Sequence, residues 1–176
     1  KGEIIKSGGT VVKNVTGYDL SKILSGSFGT LAVLSEIAVK VLPKSPCNKT
    51  LVIDNPHIKK ALEYLNLALS SSSDCSGGVF YPEIFRNYFS LNDLTIKGAL
   101  TAIRIEGPAK SVDKRIEKLM KEINVNSKEV SILEPEQSNV FWKNTQNLNV
   151  FSATKSNLLR IVSPPSETFD LIQKLK

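Results

Sequence analysis

The segment Gly26-Ser27-Phe28-Gly29-Thr30 sets two glycines three positions apart among hydroxyl side chains, a composition suited to close backbone approach. Without β-carbons in the way, peptide N–H groups there can point at an anion, and the hydroxyls of Ser27 and Thr30 add donors. The chemistry such a surface suits is the binding of a pyrophosphate or of a flavin ring edge. A tight helix-to-strand connection that uses glycine for geometry alone accounts for the same residues. The segment is neither a Walker loop nor a Rossmann fingerprint, because no Lys-Ser/Thr follows and the predicted order is helix before strand.

Other chemistry-bearing residues are scattered. His57, the single histidine, follows Pro56 at the start of a predicted helix, where the positive end of the helix dipole disfavours its charged form, so it reads as a surface residue. Cys47 and Cys75 have no CxxC spacing, and with one histidine they build neither a zinc site nor an iron–sulfur site; no metal is expected. Arg104 and Arg160 fall on predicted strands and could each grip a carboxylate bidentately, but nothing in the sequence brings them together. Phe141, Trp142 and Phe151 flank a polar stretch; they either line a binding surface or pack in a core, and their apolar area favours the core. No catalytic residue is assigned.

Several elements must position the glycine segment. Thr10 to Val12 reads as a short strand, followed by turn residues Asn14, Thr16, Gly17 and Asp19. Asp19 is a natural N-cap for a helix of about two turns carried by Leu20, Ile23 and Leu24, with Gly26 where a left-handed C-terminal residue belongs. Leu31, Val33, Ile37, Val39 and Val41 then alternate with Glu36 and Lys40, the period of a strand with one side against a core. Pro43 and Pro46 close it, which places a domain boundary near residues 43 to 48 and gives domains of 1–46 and 47–176.

The second domain reads as a strand at Leu51 to Ile53, a helix with Ile58, Ala61, Leu62, Leu65 and Leu69 on one face, and an ending in the serine run at 70 to 73. Strands at Val79 to Tyr81 and Ala99 to Glu106 follow, the latter with Ile103 and Ile105 opposite Arg104 and Glu106 and stopped by Gly107-Pro108. A helix on Val112, Ile116, Leu119, Met120 and Ile123 and a strand at Val130 and Ile132 complete the set. The order β-α-β-β-α-β predicts an α+β, ferredoxin-like domain, an antiparallel sheet with two helices on one face. The last segment, LRIVSPPSETFDLIQKLK, repeats the strand, proline turn and helix of LVIDNPHIKKALEYL, the expected opening of a truncated second repeat.

Composition limits the partners. The formal charge of +6 comes from dispersed lysines, and the densest cluster, Lys110 to Lys121, is interleaved with Asp113 and Glu117 as on a solvated helix face. No nucleic-acid partner is expected; scattered positive charge still suits an acidic partner or anionic headgroups. A 41% hydrophobic content supports a core, no run of about 18 apolar residues is present, and KGEIIKSGG lacks the apolar stretch of a secretory signal. The expectation is a cytoplasmic chain with free thiols and at most peripheral membrane association, through partners. The triplets Asn14-Val15-Thr16 and Asn48-Lys49-Thr50 are therefore expected to stay unglycosylated.

The run GYDLSKILSGSFGTLAVLSEIAVKVLP resembles the second half of the FAD-binding domain in the vanillyl-alcohol-oxidase-type (PCMH-type) flavoproteins, and GGTVVKNVTGYDLSK is closest to the E-type subunits of glycolate oxidases. The resemblance is strong over about residues 6 to 46 and continues weakly through FWKNTQNLNVFSATKSNLLRIVSPPSE. It implies FAD as cofactor, an FAD-linked oxidase C-terminal domain after residue 46, and cofactor-proximal roles for Asn14, Gly17, Tyr18, Asp19, Gly26, Ser27, Gly29, Thr30 and Val33. Tyr18 could pack on the ring system, and Asp19 could serve only as a helix cap.

Phe28 stands where many relatives carry Glu, and Ala32 where most carry Gly. The family's first FAD half-domain has no counterpart in the sequence, which carries the expectation of a fragment or split gene product whose missing half comes from a separate chain. The resemblance further implies a catalytic D-type flavoprotein subunit and an iron–sulfur subunit as partners, in a complex oxidising glycolate or another 2-hydroxy acid. A non-flavin assembly module that keeps the fold is the alternative.

Overall fold

A computed structural model describes residues 2–9, 17–54, 56–88, 98–152 and 157–175. The chain divides into two compact units, Lys1–Lys44 and Ser45–Lys176.

Among the described residues of the first unit one short helix forms, α1 (Leu20–Leu24), and no described residue of 2–44 is buried. The predicted strand over Leu31 to Val41 does not form: the segment carries no strand ladder, and Val33, Val39 and Val41 are exposed. Period-2 patterning records which side chains want cover, but a strand also needs a neighbouring backbone, and the described residues supply none. The predicted strand at Thr10 to Val12 lies outside the described residues, as does Asn14.

The second unit is built on a four-stranded sheet. β1 (Cys47–Asp54), β2 (Cys75–Tyr81), β3 (Leu100–Gly107) and β4 (Val130–Leu133) lie in the order β2-β3-β1-β4, and every neighbouring pair is antiparallel. α2 (Ile58–Ser70) connects β1 to β2, and α3 (Ala109–Glu122) connects β3 to β4. This is a mixed α+β architecture. The long central strand β1 pairs Leu51 with Ile103 on one side and with Ile132 on the other.

Alternation along the central strands sends side chains to two separate cores. Leu51, Ile53, Ile103 and Ile105 pack beneath α2 and α3 with Tyr64, Ala68, Val112, Ile116 and Leu119. Of the predicted face of α2, Ala61 is buried and Leu65 packs against this core, whereas Leu69 is exposed and Tyr64 and Ala68 are buried in addition. Small alanines at this face let the helix approach the sheet closely, and Tyr64 supplies bulk beside Leu65.

The opposite face of the sheet is covered as well, which corrects the expectation of helices on one side alone. α4 (Pro135–Gln146) lies across it and buries Val52, Ala102, Leu133 and Phe141, together with Tyr81, Leu100 and Val150. The stripe that α4 presents is Ser138, Phe141, Trp142 and Thr145, spaced i, i+3, i+4, i+7. Two of those four residues are polar. Ser138 bonds Thr50 on β1 (Oγ to Oγ1, 2.7 Å), Trp142 Nε1 donates to the same Thr50 Oγ1 at 2.7 Å, and Asn48 Nδ2 donates to Asn139 Oδ1 at 3.0 Å. Pro135 at the first helical position and Glu134 N–H donating to Gln137 Oε1 (3.4 Å) set where the helix starts.

At the chain end, α5 (Thr168–Lys174) touches α2, but the predicted strand at Leu159 to Val162 is exposed and without a ladder, for the same reason as residues 31–41.

Two polar connections hold the second unit's corners. Lys49 Nζ reaches Asp113 on α3 (3.0 Å) and Glu134 at the head of α4 (3.0 Å), tying together helices on opposite faces of the sheet; these two carboxylates hold its pKa above the ordinary lysine value. Arg115 on α3 donates to the carbonyls of Ser73 (3.2 Å), Asp74 (3.5 Å) and Glu106. Gly107 sits beside it with φ +150°, and a β-carbon there would lie 2.6 Å from Arg115 Nη2. Since three carbonyls fix that guanidinium, Gly107→Ala is expected to cost about 1–2 kcal/mol, read as a shifted urea midpoint with an unchanged slope.

The sequon Asn48-Lys49-Thr50 lies inside β1 with Asn48 and Thr50 buried, so the folded chain does not offer it to a glycosyltransferase. Among the described residues no helix is long and apolar enough to cross a membrane, and no group of three or more His, Cys, Asp or Glu side chains is placed to hold a metal ion.

Candidate functional site

The candidate site is built by a run of short-range bonds from Tyr18 to Thr30, preceded by Gly17. Gly17 takes φ +79°, a conformation that carries a steric cost for any residue with a β-carbon. Tyr18 follows with 90% of its surface exposed, and its carbonyl accepts from Leu20 N at 3.0 Å. Asp19 is the N-cap of α1: its Oδ1 accepts from Ser21 Oγ (2.5 Å) and Lys22 N (3.4 Å), and its Oδ2 pairs with Lys22 Nζ at 3.1 Å. The hydrogen bond from Ser21 and the contacts with Lys22 hold this carboxyl below its ordinary range.

α1 is shorter than the two turns expected, ending at Leu24, and Ser25 closes it through its N–H and its Oγ, both to the Ser21 carbonyl (3.0 and 2.7 Å). Gly26 then takes φ +81°, the left-handed position anticipated for it. Ser27 N donates to Leu24 O (3.1 Å), and the Ser27 carbonyl accepts from both Thr30 N (3.0 Å) and Thr30 Oγ1 (2.7 Å). The Thr30 hydroxyl therefore spends its proton inside the turn and offers a ligand lone pairs only, unlike the donor role expected of it.

Between these bonds the amides of Gly26, Phe28 and Gly29 donate to nothing among the described residues. Gly29 has φ +75°, and a β-carbon at Gly26 or Gly29 would meet no atom within 4 Å, so conformation rather than crowding calls for glycine there. Ala32, where the family pattern has Gly, keeps a negative φ and brings no backbone strain.

The structure thus brings Tyr18, Asp19, Gly26, Ser27, Gly29 and Thr30 along one hydrogen-bonded helix and turn, with Gly17 immediately before it. Val33, 93% exposed, lies beyond the last of those bonds and is not drawn in. The sequence reading did not anticipate Phe28 in the left-handed region (φ +53°) with its ring 98% exposed; its place between two glycines in a four-residue turn was the available signal.

The remaining candidates have structural settings. His57 precedes α2, is exposed and makes no side-chain cap bond. The guanidinium of Arg104 lies 5.0 Å from the Trp142 ring, bonds Ser76 Oγ (3.1 Å) and pairs with Glu106 (3.5 Å), while Arg160 is exposed outside any strand. Phe141 and Phe151 belong to the core beneath α4. Cys75 is half-buried, and desolvation raises its thiol pKa, the opposite of what a reactive cysteine needs.

No family model matches the chain. Its relatives among curated proteins are FAD-linked oxidases and dehydrogenases, which indicates an FAD-linked oxidase family over part of its length. Glycolate oxidase subunit GlcD of Bacillus subtilis is 30% identical over 122 residues, 67% of this chain and 26% of that protein. Glycolate oxidase subunit GlcE of Escherichia coli is 56% identical over 43 residues, 24% of this chain and 12% of that protein. An uncharacterized FAD-linked oxidoreductase of Mycobacterium tuberculosis is 45% identical over 51 residues, 29% of this chain and 11% of that protein. The chain spans about a quarter or less of the length of each of these.

Proposed function

We propose that this chain is part of an FAD-binding, non-catalytic subunit of a complex that oxidises glycolate or a related 2-hydroxy acid, acting with a catalytic D-type flavoprotein subunit and an iron–sulfur subunit. The observation that carries the reading is the turn at residues 26–30, whose amides at Gly26, Phe28 and Gly29 donate to nothing among the described residues, together with the exposed ring of Tyr18 in the same unit. The residues fit the group. The amides and the Ser27 hydroxyl suit a pyrophosphate or a ring carbonyl, Tyr18 offers an aromatic face, and the nearby negative charge on Asp19 is offset by Lys22. Gly17, Tyr18, Gly26, Ser27, Gly29 and Thr30 would hold the cofactor. Bound flavin supplies the redox chemistry; the protein's part is orientation and charge.

The second unit serves as a ferredoxin-like, FAD-linked oxidase C-terminal module, a reading supported by its antiparallel order β2-β3-β1-β4. α4 covers the sheet face on which a nucleic-acid binder of this topology would stack bases, which favours a protein assembly over an RNA partner. The site of action is the cytoplasm, with membrane association only through partners.

One feature favours a second reading, a non-flavin assembly module: residues 2–44 bury no described side chain, so the first unit has little hydrophobic stabilisation of its own. The visible spectrum of the purified chain, incubated with FAD and desalted, alone and with a polypeptide carrying the first FAD half-domain, separates the two. Retained flavin bands are expected when both halves are present. Colourless protein in both preparations would leave the assembly module.

A further inference from the structure

We infer that Asp19 is a positioning residue and not a cofactor ligand: its carboxylate, engaged by Ser21 and Lys22, fixes the start of α1 and thereby holds Tyr18 and the 26–30 turn in the arrangement that receives flavin. The inference rests on the flavin reading above and assigns a role within that site.

Both carboxylate oxygens are already in use. Oδ1 takes the Ser21 hydroxyl and the Lys22 amide, and Oδ2 takes the Lys22 ammonium. Turning the carboxylate toward a ligand breaks these bonds and leaves the first amides of α1 uncapped. α1 has five residues and buries none of them, so neither length nor packing sustains it. Its cap and the bonds at Ser25 are what define it, and the chain of bonds from Ser21 through Ser25, and from Leu24 through Ser27 to Thr30, passes that definition on to the glycine turn. Tyr18 is coupled from the other side, since its carbonyl accepts from Leu20 N in the helix's first turn. A bare carboxylate aimed at a pyrophosphate would also repel it, whereas one neutralised by Lys22 does not. Lys22 is the charged group that faces Asp19 among the described residues. The pH dependence follows the same contacts: the folded-state pKa is lowered, so the cap is complete above the ordinary carboxyl value of 3.8 and is lost as the pH falls through the lower folded-state value.

The test compares Asp19→Ala with Asp19→Ser, using the full chain together with the complementing half-domain polypeptide and FAD as the probe. Serine caps a helix through its hydroxyl but is too short to reach a ligand that aspartate could touch. Asp19→Ala is expected to weaken FAD binding about tenfold and Asp19→Ser to stay within about threefold of the parent, the range that loss or retention of an N-cap commands. In 15N–1H spectra of the free chain the Lys22 amide should move in Asp19→Ala and hold near its parental position in Asp19→Ser. If Asp19→Ser loses as much FAD affinity as Asp19→Ala while its Lys22 amide is unmoved, Asp19 touches the cofactor and the inference is overturned. A parent chain that binds no flavin defeats the flavin reading instead. The spectra then decide the cap alone: a Lys22 amide unmoved in Asp19→Ala overturns it.

Discussion

Phe141→Ala is expected to lower the unfolding free energy of the second unit by about 3–5 kcal/mol, the range for removing a buried phenylalanine and leaving a cavity. Its ring is buried between α4 and the sheet, against Val52, Ala102 and Leu133, and meets Tyr81 and Trp142 edge-on at centroid distances of 6.3 and 5.5 Å. No other apolar residue of α4 is buried, because Val140 points to solvent and Trp142 is half-buried. Truncation at this position therefore removes the main hydrophobic attachment of a 12-residue helix. Urea unfolding followed by Trp142 fluorescence is the measurement, since that indole leaves its contact with Arg104 when the helix detaches. A loss smaller than about 1 kcal/mol, the scale of an ordinary surface change, would mean that α4 does not pack on this face.

Thr50→Val is expected to cost about 2–3 kcal/mol, although it preserves shape almost atom for atom. The Thr50 hydroxyl is fully buried and is met by two groups of α4, the indole N–H of Trp142 and the hydroxyl of Ser138, each at 2.7 Å. Valine would set a methyl against a half-buried indole donor that has lost its acceptor, and a donor left unsatisfied against the sheet carries a desolvation penalty of about 1–3 kcal/mol. Ser138 suffers less, because its hydroxyl can rotate. Two companions isolate the cause. Thr50→Ser keeps the oxygen and should restore most of the stability. Adding Trp142→Phe to Thr50→Val removes the orphaned donor and should make the pair less damaging than the sum of the single changes. Strict additivity would show that the 2.7 Å contact contributes nothing.

Much of the second unit was legible in the residues. Ile103 and Ile105 opposite Arg104 and Glu106, the stop at Gly107-Pro108, and the stripe Val112, Ile116, Leu119 each follow from side-chain direction and chain chemistry, which act within a few residues. In the candidate site, Asp19 as a cap and Gly26 as a left-handed residue were legible for the same reason, because capping and positive φ are local events. Tertiary context decided the rest. α4 escaped notice because half of its contact stripe is Ser138 and Thr145, and such polar residues read as surface until a partner hydroxyl on β1 makes their burial favourable. Residues 31–41 and 159–162 failed in the opposite sense: they read as strands, yet a strand exists only through hydrogen bonds to another backbone, and none of the described residues provides it. By itself the sequence determined the local turns, the caps and the apolar stripes of α3 and β3. Which polar side chains become core, and which extended segments become sheet, was decided by the neighbours that the folded chain brings to them.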